Sequence, residues 1–187
     1  NLASCTVNDI PSAFVSGMQE LCSLHSKTGV GETGEYLDPS VDRQVGLGML
    51  GLANLLEYYG ISYELFGDAL QRVNAGKPEG RAQDALASAI RDGVEAAAAV
   101  AKNHNMVRAF AIAPTASCSY RSKSIEGHTA CPEIAPPIAR SVDRDSGTFG
   151  VQTYEYGDVE IASDVGWAAY KKVADQIMIM LEKTGLL

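Results

Sequence analysis

The chain has 187 residues, of which 46% are apolar and 20% charged, a length and composition that can bury one sizeable hydrophobic core. Twenty-three acidic against fifteen basic side chains leave a net charge of −8, which excludes the electrostatic footprint of a nucleic-acid or anionic-membrane binder. No apolar run reaches the roughly 18 residues a spanning helix requires, and no basic-then-apolar secretory leader opens the chain, so a cytoplasmic protein without nucleic-acid or membrane partners is expected.

Taken in order, Leu2–Val7 is short and half apolar, and predicts a brief strand that ends at the turn signal Asn8-Asp9. From Pro11, the residues Phe14, Met18, Leu21, Cys22 and Leu24 recur at helical spacing, predicting a helix to about Ser26. Gly29, Gly31 and Gly34 then predict a loop. After Pro39-Ser40, the residues Val41, Val45, Leu52, Leu55, Leu56 and Tyr59 share one helical face, with Gly60 as a left-handed cap. Gly46, Gly48 and Gly51 interrupt that helix. Since an interior glycine costs about 0.5–1 kcal/mol relative to alanine, they imply close backbone packing or a break near Gly48.

Residues 61–76 fit either a short strand or a helical turn. Pro78 opens the longest helical pattern, in which Ala82, Ala85, Leu86, Ala89, Ile90, Val94, Ala97 and Ala101 form one stripe reaching about Asn103. Its many alanines require a closely packed neighbour. Val107–Ala113 reads as a buried strand running into the small-residue turn Pro114-Thr115-Ala116-Ser117-Cys118-Ser119. Tyr120–Ile161 shows no sustained period and predicts long loops with a short hairpin near Val151–Ile161. A final helix, capped by Ser163, carries Val165, Tyr170, Val173, Ala174, Ile177, Met178 and Leu181 to Gly185. The sum is one α/β domain spanning 1–187 in which helix predominates.

The turn after the buried strand is the most informative stretch. Small and hydroxyl side chains leave backbone N–H groups unobstructed, and Thr115, Ser117 and Ser119 add hydroxyl donors, so the turn can cradle a phosphate. An ordinary Ser/Thr-capped turn has the same composition. The cysteines Cys5, Cys22, Cys118 and Cys131 include no C-x-x-C pair and read as reduced thiols. His128-Thr129-Ala130-Cys131, with Cys118, offers three soft ligands for a structural zinc, although zinc sites usually carry two tight ligand pairs. Cys118 with His25, His104 or His128 is a second alternative, a histidine-activated thiol, without any local protease signature. The alanine-rich helix and the Met-bearing helix at Ile177–Met180 allow a third, a noncatalytic helical interaction module.

Three blocks occur in a telling order: Asn1-Leu2-Ala3-Ser4-Cys5, Arg43-Gln44-Val45-Gly46-Leu47-Gly48-Met49-Leu50-Gly51-Leu52-Ala53, and Ile112-Ala113-Pro114-Thr115-Ala116-Ser117. Followed by Cys131-Pro132-Glu133-Ile134-Ala135-Pro136-Pro137, they resemble the large, catalytic subunit of ribonucleotide reductase. The resemblance covers most of this chain and a middle-to-late portion of the family's catalytic domain. It implies part of a ten-stranded α/β barrel and an oxidoreductase of DNA-precursor synthesis that turns ribonucleotides into 2′-deoxyribonucleotides by thiyl-radical chemistry with a reducing cysteine pair.

Residue by residue, the resemblance makes Cys5 one member of that pair, its partner lying on an earlier strand outside these residues. It makes Thr115, Ala116, Ser117, Cys118 and Ser119 the substrate phosphate loop. The family's radical cysteine, in an Asn-x-Cys-x-Glu motif, is expected before Asn1, and the Tyr-Tyr relay of dimetal-dependent members after Leu187. The segment alone is therefore expected to be inactive and to bind no metal or cofactor. The parent would need a radical source, either a dimetal partner subunit or adenosylcobalamin, together with a dithiol reductant. Its expected partners are a ribonucleoside di- or triphosphate, the rest of the catalytic subunit and a radical-generating subunit. Self-association is expected where barrel surfaces lack their neighbours. Tyr120–Arg140 departs from the family's Gly-Ile-Glu-Pro pattern, so Glu126 and Glu133 receive no role.

Overall fold

A computed structural model describes residues 1–28 and 37–187; the loop expected at Gly29, Gly31 and Gly34 lies outside the described residues. The fold is mixed α/β, with six helices and two small two-stranded sheets among the described residues. In chain order the elements are α1 (Ile10–Ser26), β1 (Gln44–Leu47), α2 (Leu52–Tyr59), α3 (Tyr63–Asn74), α4 (Ala82–Asn103), β2 (Arg108–Phe110), α5 (Ala116–Ser119), β3 (Ser141–Asp145), β4 (Val151–Glu155) and α6 (Ala162–Glu182).

The helical layer follows from its apolar stripes. Ile10, Phe14, Met18 and Cys22 of α1 are buried, and α1 packs along α4. The alanine-rich stripe of α4 is core: Leu86, Ala87, Ala89, Ile90, Val94, Ala97, Ala98 and Ala101 are all buried. Gly93 has its reason in Phe14, since a Cβ there would stand 2.6 Å from the phenyl Cδ2. That contact justifies the helix-interior cost of a glycine. Residues 61–76 resolve as the helix α3, capped by the Ser62 hydroxyl, which accepts from the Leu65 N–H. On its buried side α3 packs against α6 and α4.

A buried carboxylate is built into this layer. Asp84, 2% exposed, accepts from Arg72 Nε at 3.0 Å and Nη2 at 2.5 Å, and from the Glu79 N–H at 2.7 Å, tying α3 to the start of α4. Burial pushes the Asp84 carboxyl up, but Arg72 and the backbone amides outweigh it and hold the group below the usual carboxylate range.

The strands β1 and β2 pair in parallel, Gln44 opposite Arg108 and Leu47 opposite Phe110. Small residues let the two backbones approach: a Cβ on Gly48 would lie 2.3 Å from the Ala111 carbonyl oxygen, and one on Gly46 3.1 Å from the Ala111 Cβ. Beyond the pair, Gly51 at φ 78° turns the chain into α2, and Gly60 at φ 63° ends it. The β3–β4 hairpin is antiparallel, from Ser141 opposite Glu155 to Asp145 opposite Val151.

Several expectations need correction. Leu2–Ser4 is a turn of 3-10 helix, not a strand: the Asn1 carboxamide oxygen accepts from the Ala3 N–H at 3.0 Å and makes Asn1 its cap. The helix expected from Val41 begins only at Leu52, because Gly46 and Gly48 favour the close strand pairing that replaces its first half. The hairpin lies earlier than expected, with Ser141–Asp145 as its first strand. The last helix is capped by Ile161 backbone rather than Ser163, and its first turn is broken at Gly166, where φ is 75° and ψ 162°. No helix among the described residues is long and apolar enough to cross a membrane.

Candidate functional site

The Gly48 approach to Ala111 sets the floor of the site, because it joins the end of β1 to the chain leaving β2. The Ala111 N–H donates to the Leu47 carbonyl at 3.0 Å, carrying the pairing one step past the strands. From there Ile112, Ala113 and Pro114 lead into α5, a single turn. The N–H groups of Ala116, Ser117 and Cys118 donate to no acceptor among the described residues, and all three residues are exposed. These are three backbone donors in one turn, in the arrangement that small side chains permit.

The hydroxyls behave differently from expectation. Thr115 Oγ1 donates to the Pro132 carbonyl at 2.5 Å, so it anchors the turn to the 130s loop. Ser119 is fully buried; its hydroxyl donates to the Ala116 carbonyl at 2.8 Å and its N–H to the Thr115 carbonyl at 2.9 Å. Both of its donors are consumed inside the turn, so Ser119 shapes the loop rather than meeting a ligand. The outward-facing set is therefore the amides of Ala116, Ser117 and Cys118 with the Ser117 hydroxyl.

Two neighbouring clefts lie along the chain that leads into this turn. One, of about 150 Å³, is bounded by Gly46, Ala111, Ala113 and Thr115. The other, of about 130 Å³, is bounded by Cys5, Phe14, Gly17 and Leu47. Asn1, Gly48 and Met49 line both. Cys5 and Thr115, 110 positions apart in sequence, thus border adjoining spaces. Cys5 is 7% exposed, its Sγ reaches the Asn1 carbonyl at 3.5 Å, and burial pushes its thiol up. A thiol so placed is protonated at neutral pH.

The walls are held by a residue that sequence reasoning passed over. Asn54, 5% exposed, donates through Nδ2 to the Thr129 carbonyl at 3.2 Å and the Tyr156 carbonyl at 3.0 Å, and accepts from the Cys131 N–H at 2.7 Å. The Gly51 N–H donates to the Cys131 carbonyl at 2.7 Å, and the Leu2 N–H to the Leu50 carbonyl at 2.9 Å. Asn54 binds α2 to the loop that receives Thr115. Its signal was an amide flanked by Leu52, Leu55 and Leu56, on a helix face that is otherwise apolar and buried.

The other candidates do not assemble. His128, Cys131 and Cys118 form no metal-binding group, and no cluster of three His, Cys, Asp or Glu exists among the described residues. Cys131 is fully buried, and burial pushes its thiol up to about 12. Cys118 is exposed, and no histidine hydrogen-bonds it among the described residues. A larger cavity, about 540 Å³, opens elsewhere, where the ends of α3, α4 and α6 converge near Asn74, Lys102 and Lys183. There the Lys183 ammonium donates to the Asn74 carbonyl at 2.6 Å, a cation placed at a helix C-terminus as the backbone dipole favours. No protein-family model matches the chain, and no curated protein matches it.

Proposed function

We propose that this chain is part of the catalytic subunit of a ribonucleotide reductase, with substrate phosphates held on the turn at Ala116–Cys118 and Cys5 serving as one of the two reducing thiols. The observation that carries the reading is convergence. The three sequence blocks at 1–5, 43–53 and 112–117 lie far apart in the chain, yet all contribute to the two clefts that share Asn1, Gly48 and Met49. Blocks brought together around adjoining clefts, by β1–β2 pairing and the Leu2–Leu50 bond, are what a shared substrate would require.

In this reading the chain's own residues bind and position. The free amides of 116–118 and the Ser117 hydroxyl take the phosphate oxygens, which fixes the ribose over the space that Cys5 borders. In the reduction, the C2′–O bond breaks, the oxygen leaves as water, C2′ gains hydrogen, and Cys5 with its partner thiol becomes a disulfide. Burial of Cys5, on a cleft it shares with Phe14 and Leu47, pushes its thiol up and so favours the protonated form. The parent's radical source, a dimetal subunit or adenosylcobalamin, would act from outside these residues, and the barrel of the family would be completed by segments beyond them.

Nucleotide-dependent alkylation tests the reading. Iodoacetamide should modify Cys5 slowly in the free chain, because the thiol is buried and protonated, and more slowly still with a saturating ribonucleoside diphosphate. A free thiol such as glutathione, alkylated in the same sample, provides the measure of reagent, since Cys118 lies on the turn itself. Ser117→Asp, which sets a carboxylate against the phosphates, should abolish the protection. A Cys5 rate indifferent to nucleotide would reject the reading.

A further inference from the structure

A third cleft, of about 280 Å³, opens at Ser117, between α5 and the β3–β4 hairpin. Besides Ser117 it is lined by Arg121 and Arg144, by the aromatic pair Tyr120 and Tyr154, and by the hairpin residues Asp145 and Ser146. The two rings stack with centroids 4.2 Å apart, and the Arg144 guanidinium lies 4.8 Å from the Tyr120 centroid. Ring contact occupies the flat face of a guanidinium and leaves its in-plane N–H groups for an acceptor. Neither Arg121 nor Arg144 pairs with a carboxylate among the described residues. The cleft's one carboxylate, Asp145, accepts from the Gly147 N–H at 2.9 Å and so serves the hairpin turn. In a chain of net charge −8, this leaves two guanidinium groups converging on one polar space without a partner.

We propose that this cleft is an anion subsite that seats the outermost phosphate of a polyphosphate chain, and that Arg121 and Arg144 therefore select a nucleoside triphosphate over a diphosphate. The inference rests on the reading of Ala116–Cys118 as the phosphate-holding turn. Ser117 is the link: its exposed side chain borders the cleft, and its amide belongs to the outward-facing set on the same turn. A chain of phosphates leaving the turn on that side enters the space between the two arginines. Charge-assisted N–H···O bonds to a dianionic terminal group would give discrimination of about tenfold.

The test is calorimetric titration of the 187-residue chain with sodium tripolyphosphate and with pyrophosphate at one fixed ionic strength. Tripolyphosphate should bind about tenfold more tightly. Arg121→Gln and Arg144→Gln should each reduce that preference, and together erase it, while pyrophosphate affinity stays unchanged. Arg121 is exposed and makes no ring contact, so its variant keeps the test clear of hairpin damage. A preference that survives both substitutions overturns the subsite and leaves the turn reading standing. Ser117→Asp should abolish binding of both anions; retained, arginine-dependent tripolyphosphate binding would overturn the turn reading and the link built on it. A chain that binds neither anion overturns both.

Discussion

The helical layer and the site face are stabilised in different ways. Between α1, α3, α4 and α6 the buried contacts are mainly apolar, from Phe14 seated on Gly93 to Ile177 and Leu181 of α6 in the core, with Asn74–Gln176 and Lys172–Asp68 bonds added between α3 and α6. Such packing tolerates little change in volume, but it needs few directed bonds. The site face is thinner: two short strands, one helical turn, and loops joined by individual hydrogen bonds from Asn54, Thr115 and Asn1. The contrast shows why the layer can act as a platform while the face keeps amides free. A turn that satisfied all its donors internally would be more stable and would have nothing to offer a ligand.

The Asp84 ties should give the largest effect, because they hold a buried carboxylate in the helical layer. Asp84→Ala leaves Arg72 and the Glu79 amide without their acceptor, and should cost about 4 kcal/mol in chemical denaturation. The same group sets a pH dependence. Its folded pKa lies below the unfolded value of about 3.9, so its contribution is present above that value and disappears as pH falls through the folded one. Between pH 6 and pH 2 the wild type should lose more stability than Asp84→Asn; equal losses would show that the ion pair does not support the layer.

Asn54 is the counterpart on the site face. Asn54→Ala removes one acceptor and two donations at a buried position, and should cost about 3 kcal/mol. Its particular signature is local. Hydrogen exchange should accelerate at the Cys131 and Gly51 amides while the α4 core amides slow or quicken only with global stability. Uniform acceleration across α1 and α4 would mean that the face and the layer form one cooperative unit.

The two regions were also unequally legible in sequence. Hydrophobic period places the helices α1, α4 and α6 close to their true limits, since a stripe such as Leu86, Ile90, Val94 and Ala97 has one economical burial, whereas the cap expected at Ser163 does not form. The face was harder for identifiable reasons. Val41 and Val45 continue the helical spacing of Leu52 and Leu56, but Gly48 must meet Ala111, and that long-range contact decides for a strand. Asn1 capping Ala3 similarly overrides the strand composition of Leu2–Val7. The turn at 114–119 was visible from its small residues, yet which hydroxyls face outward depended on Pro132, seventeen positions away. Asn54 shows in sequence only as an amide among leucines, because its partners come from distant loops, and the Arg121–Arg144 cleft is invisible there because α5 and the hairpin form it together.

The Thr115 hydroxyl offers the finest division between the regions. Thr115→Val keeps the shape and removes the bond to the Pro132 carbonyl, for an expected loss of about 1 kcal/mol, since the bond is only partly buried and solvent can replace it. The helical layer should not register the change. The turn should, because Thr115 fixes the chain immediately before the free amides of 116–118. Phosphate affinity should therefore fall by more than the stability loss suggests, as a preorganised set of donors becomes one that must be ordered on binding. Thr115→Ser, which restores the donor, should recover both. If the valine variant binds pyrophosphate as the wild type does, the turn is held by its own bonds through Ser119, and the 130s loop has no part in preparing it.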